Sequence, residues 1–81
     1  MRTVTLYTRV DCHLCDDVKE ILDEVRKAHP FEMQVLDVDA DPALKALYDL
    51  EVPVVAIDGR KAFKYRLTAA ALIRRLHDSE A

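Results

Sequence analysis

The spacing of apolar residues changes between residues 2–8 and residues 14–28, and this change limits the folds open to the chain. The first segment, "RTVTLYT", alternates apolar and polar residues and is rich in β-branched residues, which predicts a strand. In the second segment apolar residues recur every three or four positions, which predicts an amphipathic helix. After Leu14 these residues are Val18, Ile21, Leu22, Val25 and Ala28. A strand followed directly by a helix favours an α/β protein.

Proline and aspartate divide the middle of the chain into two further elements. Pro30 ends the first helix, and "FEMQVLDVD" follows it as a second predicted strand. Asp41 is expected to cap a short second helix that carries Pro42 at its first position. The apolar residues Leu44 and Leu47 of this helix are expected to face inward.

The last third of the chain predicts a hairpin and a helix. "VPVVAI" and "RKAFKYR" are predicted strands, and the Asp58–Gly59 pair between them is a strong hairpin signal. Thr68 is expected to cap the final helix, "AAALIRRLHD". The residues of this helix that are expected to face inward are Ala69, Leu72, Ile73 and Leu76.

The predicted element order is strand–helix–strand–helix–strand–strand–helix. The first three elements form a parallel unit with a right-handed crossover, and the last two strands form an antiparallel hairpin. We therefore expect residues 1–81 to form a single α/β domain with a four-stranded mixed sheet flanked by three helices. The helices are expected to cover both faces of the sheet.

Charge and hydropathy exclude several classes of protein. The formal net charge of −3 argues against general nucleic-acid binding. The apolar runs are far shorter than the ~18 residues of a membrane span, and the first residues are too polar for a secretory signal, so a cytoplasmic location is expected. A basic cluster consists of Arg60, Lys61, Lys64 and Arg66. It marks either a solvated edge strand or a docking surface for an anionic ligand or partner.

The sequence "CHLC" at Cys12–Cys15 carries the chemistry of the chain. Two cysteines at this spacing can hold a metal, close a disulfide or exchange electrons with another protein. Cys12 is expected in the loop before the first helix, where free backbone N–H groups and the helix dipole stabilise a thiolate. Cys15, within the first turn, is expected to point toward the core. This arrangement predicts an exposed attacking thiol and a sheltered resolving thiol, which together reduce a disulfide through a mixed disulfide.

The alternative is a binding module that holds a metal ion or an iron–sulfur cluster through Cys12 and Cys15. Tetrahedral zinc requires four ligands. His13 lies between the cysteines, but His29 and His77 lie at the far ends of the predicted helices, so a closed ligand set is difficult to build. We therefore expect no metal site, while metal content and a thiol count would separate the two classes.

The segments "LYTRVDCHLC" and "VPVV" together resemble the glutaredoxins of the thioredoxin-like superfamily. More narrowly, the chain is similar to small bacterial glutaredoxin-like domains that carry C-H-L-C in place of C-P-Y-C, over nearly its whole length. The resemblance implies a thioredoxin-like βαβαββα fold. It also implies a thiol-disulfide oxidoreductase with Cys12 as nucleophile and Cys15 as resolving cysteine.

The resemblance extends to substrate-binding positions. In the family, the bond equivalent to Val52–Pro53 is cis, and the backbone before the proline pairs with the extended chain of the substrate. Arg9 matches a basic residue that contacts the glycyl carboxylate of glutathione, although it also suits an ordinary loop cation. His13 and Leu14, inside the motif, are expected at the substrate surface, where His13 either tunes the thiolate, contacts substrate or is merely exposed.

Two departures from the family pattern affect the expected partners. "FKYRLT" stands where the family has a glycine pair that holds the γ-glutamyl carboxylate of glutathione, and Glu51 replaces a threonine. We expect no tightly bound cofactor, with glutathione as a candidate electron donor. The expected partners are a disulfide-containing protein or small-molecule substrate and an upstream reductant, either glutathione or a thioredoxin-reductase-like enzyme. Neither nucleic acid nor membrane is expected as a partner, and the chain is expected to be a monomer.

Overall fold

Four strands form one mixed sheet in the order β2-β1-β3-β4. The computed structural model describes residues 1–78. The elements are β1 (Thr3–Thr8), α1 (His13–Ala28), β2 (Glu32–Asp37), α2 (Pro42–Tyr48), β3 (Val54–Ile57), β4 (Arg60–Lys64) and α3 (Ala69–Asp78), with a 3₁₀ turn at Val38–Ala40. β1 pairs parallel with β2 and antiparallel with β3, which pairs antiparallel with β4. The predicted fold class is confirmed. The assignment of residues 1–81 to one domain stays a prediction, and its last three residues lie outside the described part of the chain.

Capping and turn residues start the elements where the sequence predicts. The Asp41 carboxylate accepts a hydrogen bond from the Ala43 N–H at 2.9 Å, and the Thr68 hydroxyl accepts one from the Ala71 N–H at 3.1 Å. Asp58 and Gly59 both have positive φ angles, 51° and 84°, as a two-residue hairpin turn of type I′ requires. Within residues 1–78, no helix has the length and apolar character needed to cross a membrane.

The core lies between one face of the sheet and the pair of helices α1 and α3. Alternate residues of β1 and β3 point toward this side, and both helices present an apolar stripe to it. The fully or nearly fully buried residues of this cluster are Val4, Leu6, Val18, Leu22, Val25, Phe31, Val55, Ile57, Leu67, Leu72 and Leu76. This packing fixes where the first turn of α1 lies relative to the end of β1.

The opposite face of the sheet is covered less completely than expected. The ring of Tyr48, at the end of α2, packs against that of Tyr7 with centroids 4.6 Å apart, and burial raises the pKa of Tyr7. Leu44 is half-buried, but Leu47 is 63% exposed, so the prediction that it faces inward is wrong. The seven-residue α2 contains no fully buried residue. Helices therefore cover one face well and the other in part.

Side chains at the two edge strands of the sheet and at the start of α3 are exposed to solvent. β2 leaves Val35 and Leu36 exposed by 46% and 38%. Ala69, expected to face inward, is exposed, because the buried stripe of α3 begins one turn later at Leu72. β4 is the other edge strand, and Arg60 and Lys64 on it are exposed, as expected for a solvated edge.

Leu22→Ala should lower the free energy of unfolding by about 2–5 kcal/mol, because it leaves a cavity between α1 and the sheet. Leu47→Ala removes the same atoms from an exposed site and should change the stability by less than about 0.5 kcal/mol. Urea titration of both variants measures the difference. Equal losses in the two variants would contradict this account of the core.

Candidate functional site

The two cysteines lie at the start of α1, on either side of the first helical turn. Cys12 is the N-cap residue, with φ −105° and ψ 105°, and its Sγ accepts a hydrogen bond from the Cys15 N–H at 3.1 Å. The Cys12 carbonyl accepts the N–H of Asp16 at 3.2 Å. One of the free amide groups of the helix N-terminus is therefore directed at the sulfur, as the sequence predicts.

Cys12 and Cys15 are joined by a disulfide bond across a Cα–Cα distance of 5.2 Å. Cys15 is only 2% exposed, whereas Cys12 is partly accessible. The difference follows from helix geometry, because Cys15 lies on the same helix face as Val18 and Leu22, which pack into the core. An incoming thiol or disulfide can therefore approach Cys12 more easily than Cys15.

His13 and Leu14 lie between the two cysteines and face solvent, with Leu14 43% exposed. Leu14 lines an open cleft of about 370 Å³ together with Tyr65, Arg66 and Thr68. A second cleft of about 270 Å³ lies on the other side of the motif and includes Cys15 in its wall. The motif thus forms a ridge between two shallow clefts, and the roles of His13 and Leu14 in substrate contact stay predictions.

The Val52–Pro53 segment lies at the same end of the sheet as the cysteines. Tyr7 near the end of β1 pairs with Val54 at the start of β3, so the loop after β1 and the loop before β3 meet at one edge. The Val52–Pro53 bond is cis, as the family resemblance implies. Pro53 is buried and Val52 is half-buried. Their contact with a substrate chain remains a prediction.

The guanidinium of Arg9 is held by groups from two distant parts of the chain. Its Nε and Nη2 donate to the two carboxylate oxygens of Asp39 at 3.2 and 2.8 Å. Its Nη1 donates to the carbonyl of Asp49 at 2.9 Å, and its Nη2 also donates to the Asp49 carboxylate. These contacts fasten the loop that carries Cys12 to the 3₁₀ turn and to the end of α2. A glutathione carboxylate would have to compete with both aspartates for this side chain.

Tyr65, which the sequence leaves open as a packing residue or a ligand contact, lies beside the motif in a conformation that the sequence did not indicate. Its φ is 67°, an unusual left-handed conformation for a bulky residue. Two hydrogen bonds hold it, from its N–H to the Pro53 carbonyl at 2.8 Å and from its hydroxyl to the Leu50 carbonyl at 3.1 Å. The ring is 41% exposed. A glycine is the usual signal for a positive φ, and this chain has only one, at position 59.

Carboxylates dominate the surface beside the cysteines. Asp11, Asp16 and Asp17 are exposed, and Asp11 has a left-handed φ of 61° that aspartate tolerates. Glu51, which replaces the family's threonine, instead accepts a hydrogen bond from Lys61 at 2.6 Å, and this bond lowers the pKa of Glu51. The approach to Cys12 is therefore acidic on the side of the loop and of the first helical turn.

The binding-module alternative has Cys12 and Cys15 as its only proposed ligands in the described part of the chain. Among residues 1–78, no three His, Cys, Asp or Glu side chains are grouped so that they could hold a metal ion. Because a tetrahedral site takes four ligands, Cys12 and Cys15 alone supply half of one.

The Arg9–Asp39 contact predicts a specific acid dependence. The guanidinium hydrogen bond holds the pKa of Asp39 below its usual value. A carboxyl whose pKa is depressed by folding stabilises the protein fully above its unfolded pKa of about 3.9 and loses that contribution as the pH falls through the folded pKa. Asp39→Asn should therefore be less stable than the wild type at pH 6, and the gap should shrink below about pH 4. Urea titrations at a series of pH values measure the gap, and a gap independent of pH would contradict the contact.

Residues 3–77 match the family model described as Glutaredoxin-like domain (DUF836). An alignment over 63 residues, which covers 72% of this chain, shows 38% identity to the uncharacterized proteins Rv0508 of Mycobacterium tuberculosis and Mb0520 of Mycobacterium bovis. The matched segment spans 65% of the length of these curated relatives.

Solved structures share the fold. Protein XcR50 from X. campestris has 35% identity and a TM-score of 0.77, with 96% of this chain and 97% of that chain covered. Protein Ne2328 from Nitrosomonas europaea has 28% identity and a TM-score of 0.80 over 91% and 89% of the two chains. Thioredoxin 1 from Thermosipho africanus, at 17% identity, has a TM-score of 0.65 over 98% and 99%, which shows a common fold. With a family model that matches nearly its whole length, the chain belongs to the glutaredoxin-like domain family.

Proposed function

We propose that this chain is a thiol-disulfide oxidoreductase that reduces disulfides through Cys12 and Cys15. The observation that carries the proposal is the unequal placement of the two sulfurs. Cys12 caps α1 and is partly accessible, whereas Cys15 is 2% exposed and within bonding reach of it. A nucleophile needs access to its substrate, while a resolving thiol needs only to reach the nucleophile.

The reaction follows the order of sulfur access. The Cys12 thiolate attacks one sulfur of a substrate disulfide, forming a mixed disulfide and releasing the other sulfur as a thiolate that takes up a proton. Cys15 then loses its proton and attacks Cys12 Sγ, which releases the second substrate thiol and forms the Cys12–Cys15 disulfide. Two electrons pass to the substrate, and an upstream dithiol or two monothiols must return them.

The acidic approach to Cys12 bears on the choice of reductant. Glutathione carries two carboxylates and one ammonium at neutral pH, and its usual anchors are altered here. Arg9 is already bound to Asp39 and Asp49, and Tyr65 lies in the segment where the family has a glycine pair. We propose that glutathione is a slow donor for this disulfide, and that a protein reductant such as a thioredoxin-reductase-like enzyme serves it better. Substrates with neutral or basic surroundings fit the same surface.

Cysteine variants test the assignment of roles. Cys12→Ser should abolish turnover of a disulfide substrate, because the accessible nucleophile is lost. Cys15→Ser should instead accumulate a mixed disulfide with the substrate at Cys12, since nothing resolves it. Mass spectrometry of the trapped species and limiting alkylation of the reduced wild type measure both effects. Preferential alkylation of Cys15 would contradict the proposed roles.

A single charge change tests the role of the acidic approach. Asp16→Asn should speed reduction of the Cys12–Cys15 disulfide by glutathione about two- to threefold at low salt, because it removes a charge that repels the donor. The gain should vanish near 1 M salt, where the screening length is about 3 Å. Stopped-flow or quenched alkylation assays measure the rates, with dithiothreitol, which has no carboxylate, as the reference reductant.

Glu32→Gln is the matched control for this variant. It also removes one exposed carboxylate, but at the start of β2, the opposite end of the sheet from the motif. It should leave the glutathione rate unchanged. Equal effects of the two variants, or a glutathione rate that Asp16→Asn does not raise, would contradict the electrostatic account.

A further inference from the structure

Two histidines that are 48 residues apart meet at the end of the molecule opposite the cysteines. His29 caps the C-terminus of α1, and His77 lies in the last turn of α3. His77 Nε2 and His29 Nδ1 are 3.3 Å apart, and the rings are 5.4 Å apart at their centroids, inclined at 76°. The sequence had placed these residues at separate helix ends. Because α1 and α3 pack side by side over the same core, the two ends coincide.

The distance between the two nitrogens suits a shared metal ion. Zinc binds imidazole nitrogen at about 2.0–2.1 Å with tetrahedral angles, so two nitrogen ligands on one ion lie about 3.3–3.4 Å apart. Neutral imidazole is a preferred ligand for zinc, copper and nickel. The rings already lie at nearly this separation, and they come from two helices that the core holds in place.

The surroundings of the two histidines leave room for a hydrated cation. An open cavity of about 650 Å³ adjoins the pair and is lined in addition by Met1, Arg2, Pro30 and Asp58. Waters can occupy the remaining coordination positions there. The C-terminal end of α1, and the last turn of α3, carry the negative side of the helix dipoles. Arg26 and Lys27 in the last turn of α1 and Arg75 in the last turn of α3 oppose a cation there, whereas Arg2 in the cavity wall forms an ion pair with Asp58.

We propose that His29 and His77 form a surface site for a divalent transition metal that favours imidazole, with Zn²⁺ as the best match to the geometry. The ion is held by His29 Nδ1 and His77 Nε2, and water completes its shell. Bound there, it ties the ends of α1 and α3 together. The site is separate from the cysteines, so a test of metal binding there is independent of the proposed redox function.

Zinc titration of the tag-free protein in its disulfide form tests the proposal, because the oxidised sulfurs are not available as thiolate ligands. Isothermal titration calorimetry at pH 7.5 should show one Zn²⁺ bound. His29→Ala and His77→Ala should each weaken binding about tenfold or more, and Zn²⁺ should raise the melting temperature of the wild type but not of these variants. His13→Ala is the matched control, since it removes the remaining histidine, at the other end of α1, and should bind Zn²⁺ like the wild type.

A measurement on the unmodified protein avoids any effect of the substitutions on folding. In NMR spectra of the histidine rings of the protein, Zn²⁺ should shift the resonances of His29 and His77 and leave those of His13 unchanged. Zinc binding that survives both single substitutions, or ring shifts at His13 alone, would overturn the proposal. The absence of Zn²⁺ binding by the wild type at concentrations up to about 1 mM would also overturn it.

Discussion

The burial of one sheet face beneath α1 and α3 is the interaction on which the rest of this structure depends. Each fully buried valine or leucine there contributes about 1.5–3 kcal/mol, and the cluster draws on β1, β3 and both helices. The same packing also sets the orientation of the first turn of α1. With Val18 and Leu22 seated on the sheet, Cys15 one turn earlier must also face inward, and Cys12 must fall at the open end of the helix. The same packing brings the C-terminal ends of α1 and α3 together.

Local signals in the sequence predicted most of the fold. The caps at Asp41 and Thr68, the Asp58–Gly59 turn and the period of α1 each depend on residues a few positions apart, so a linear pattern contains them. The exposure of Leu47 was not predictable in this way. A short apolar pattern predicts a helix, but it does not say how much of the sheet that helix reaches.

Long-range contacts account for what the sequence left out of the candidate site. Arg9 is bound to Asp39 and Asp49, which lie 30 and 40 positions away, and no local sequence pattern predicts such a contact. Tyr65 is held in a left-handed conformation by the backbone of Leu50 and Pro53, which only the folded sheet brings near. The unequal exposure of Cys12 and Cys15 was predictable because it depends on residues within one helical turn. The residues that surround the two cysteines come from distant parts of the chain, so only the tertiary structure shows them.

The uneven cover of the sheet has a consequence for motion within the native state. β1 and β3 are paired on both sides and lie against the core, so their amide protons exchange with solvent only through large openings. β2 has one neighbour and carries exposed Val35 and Leu36, so small local fluctuations are enough to free its backbone. The loop that holds Cys12 is attached to the protected strand β1, while Asp39, one of the two aspartates bound to Arg9, follows the less protected strand β2. The guanidinium of Arg9 therefore links the cysteine loop to the less protected edge of the sheet, in addition to the pairing of β1 with β2.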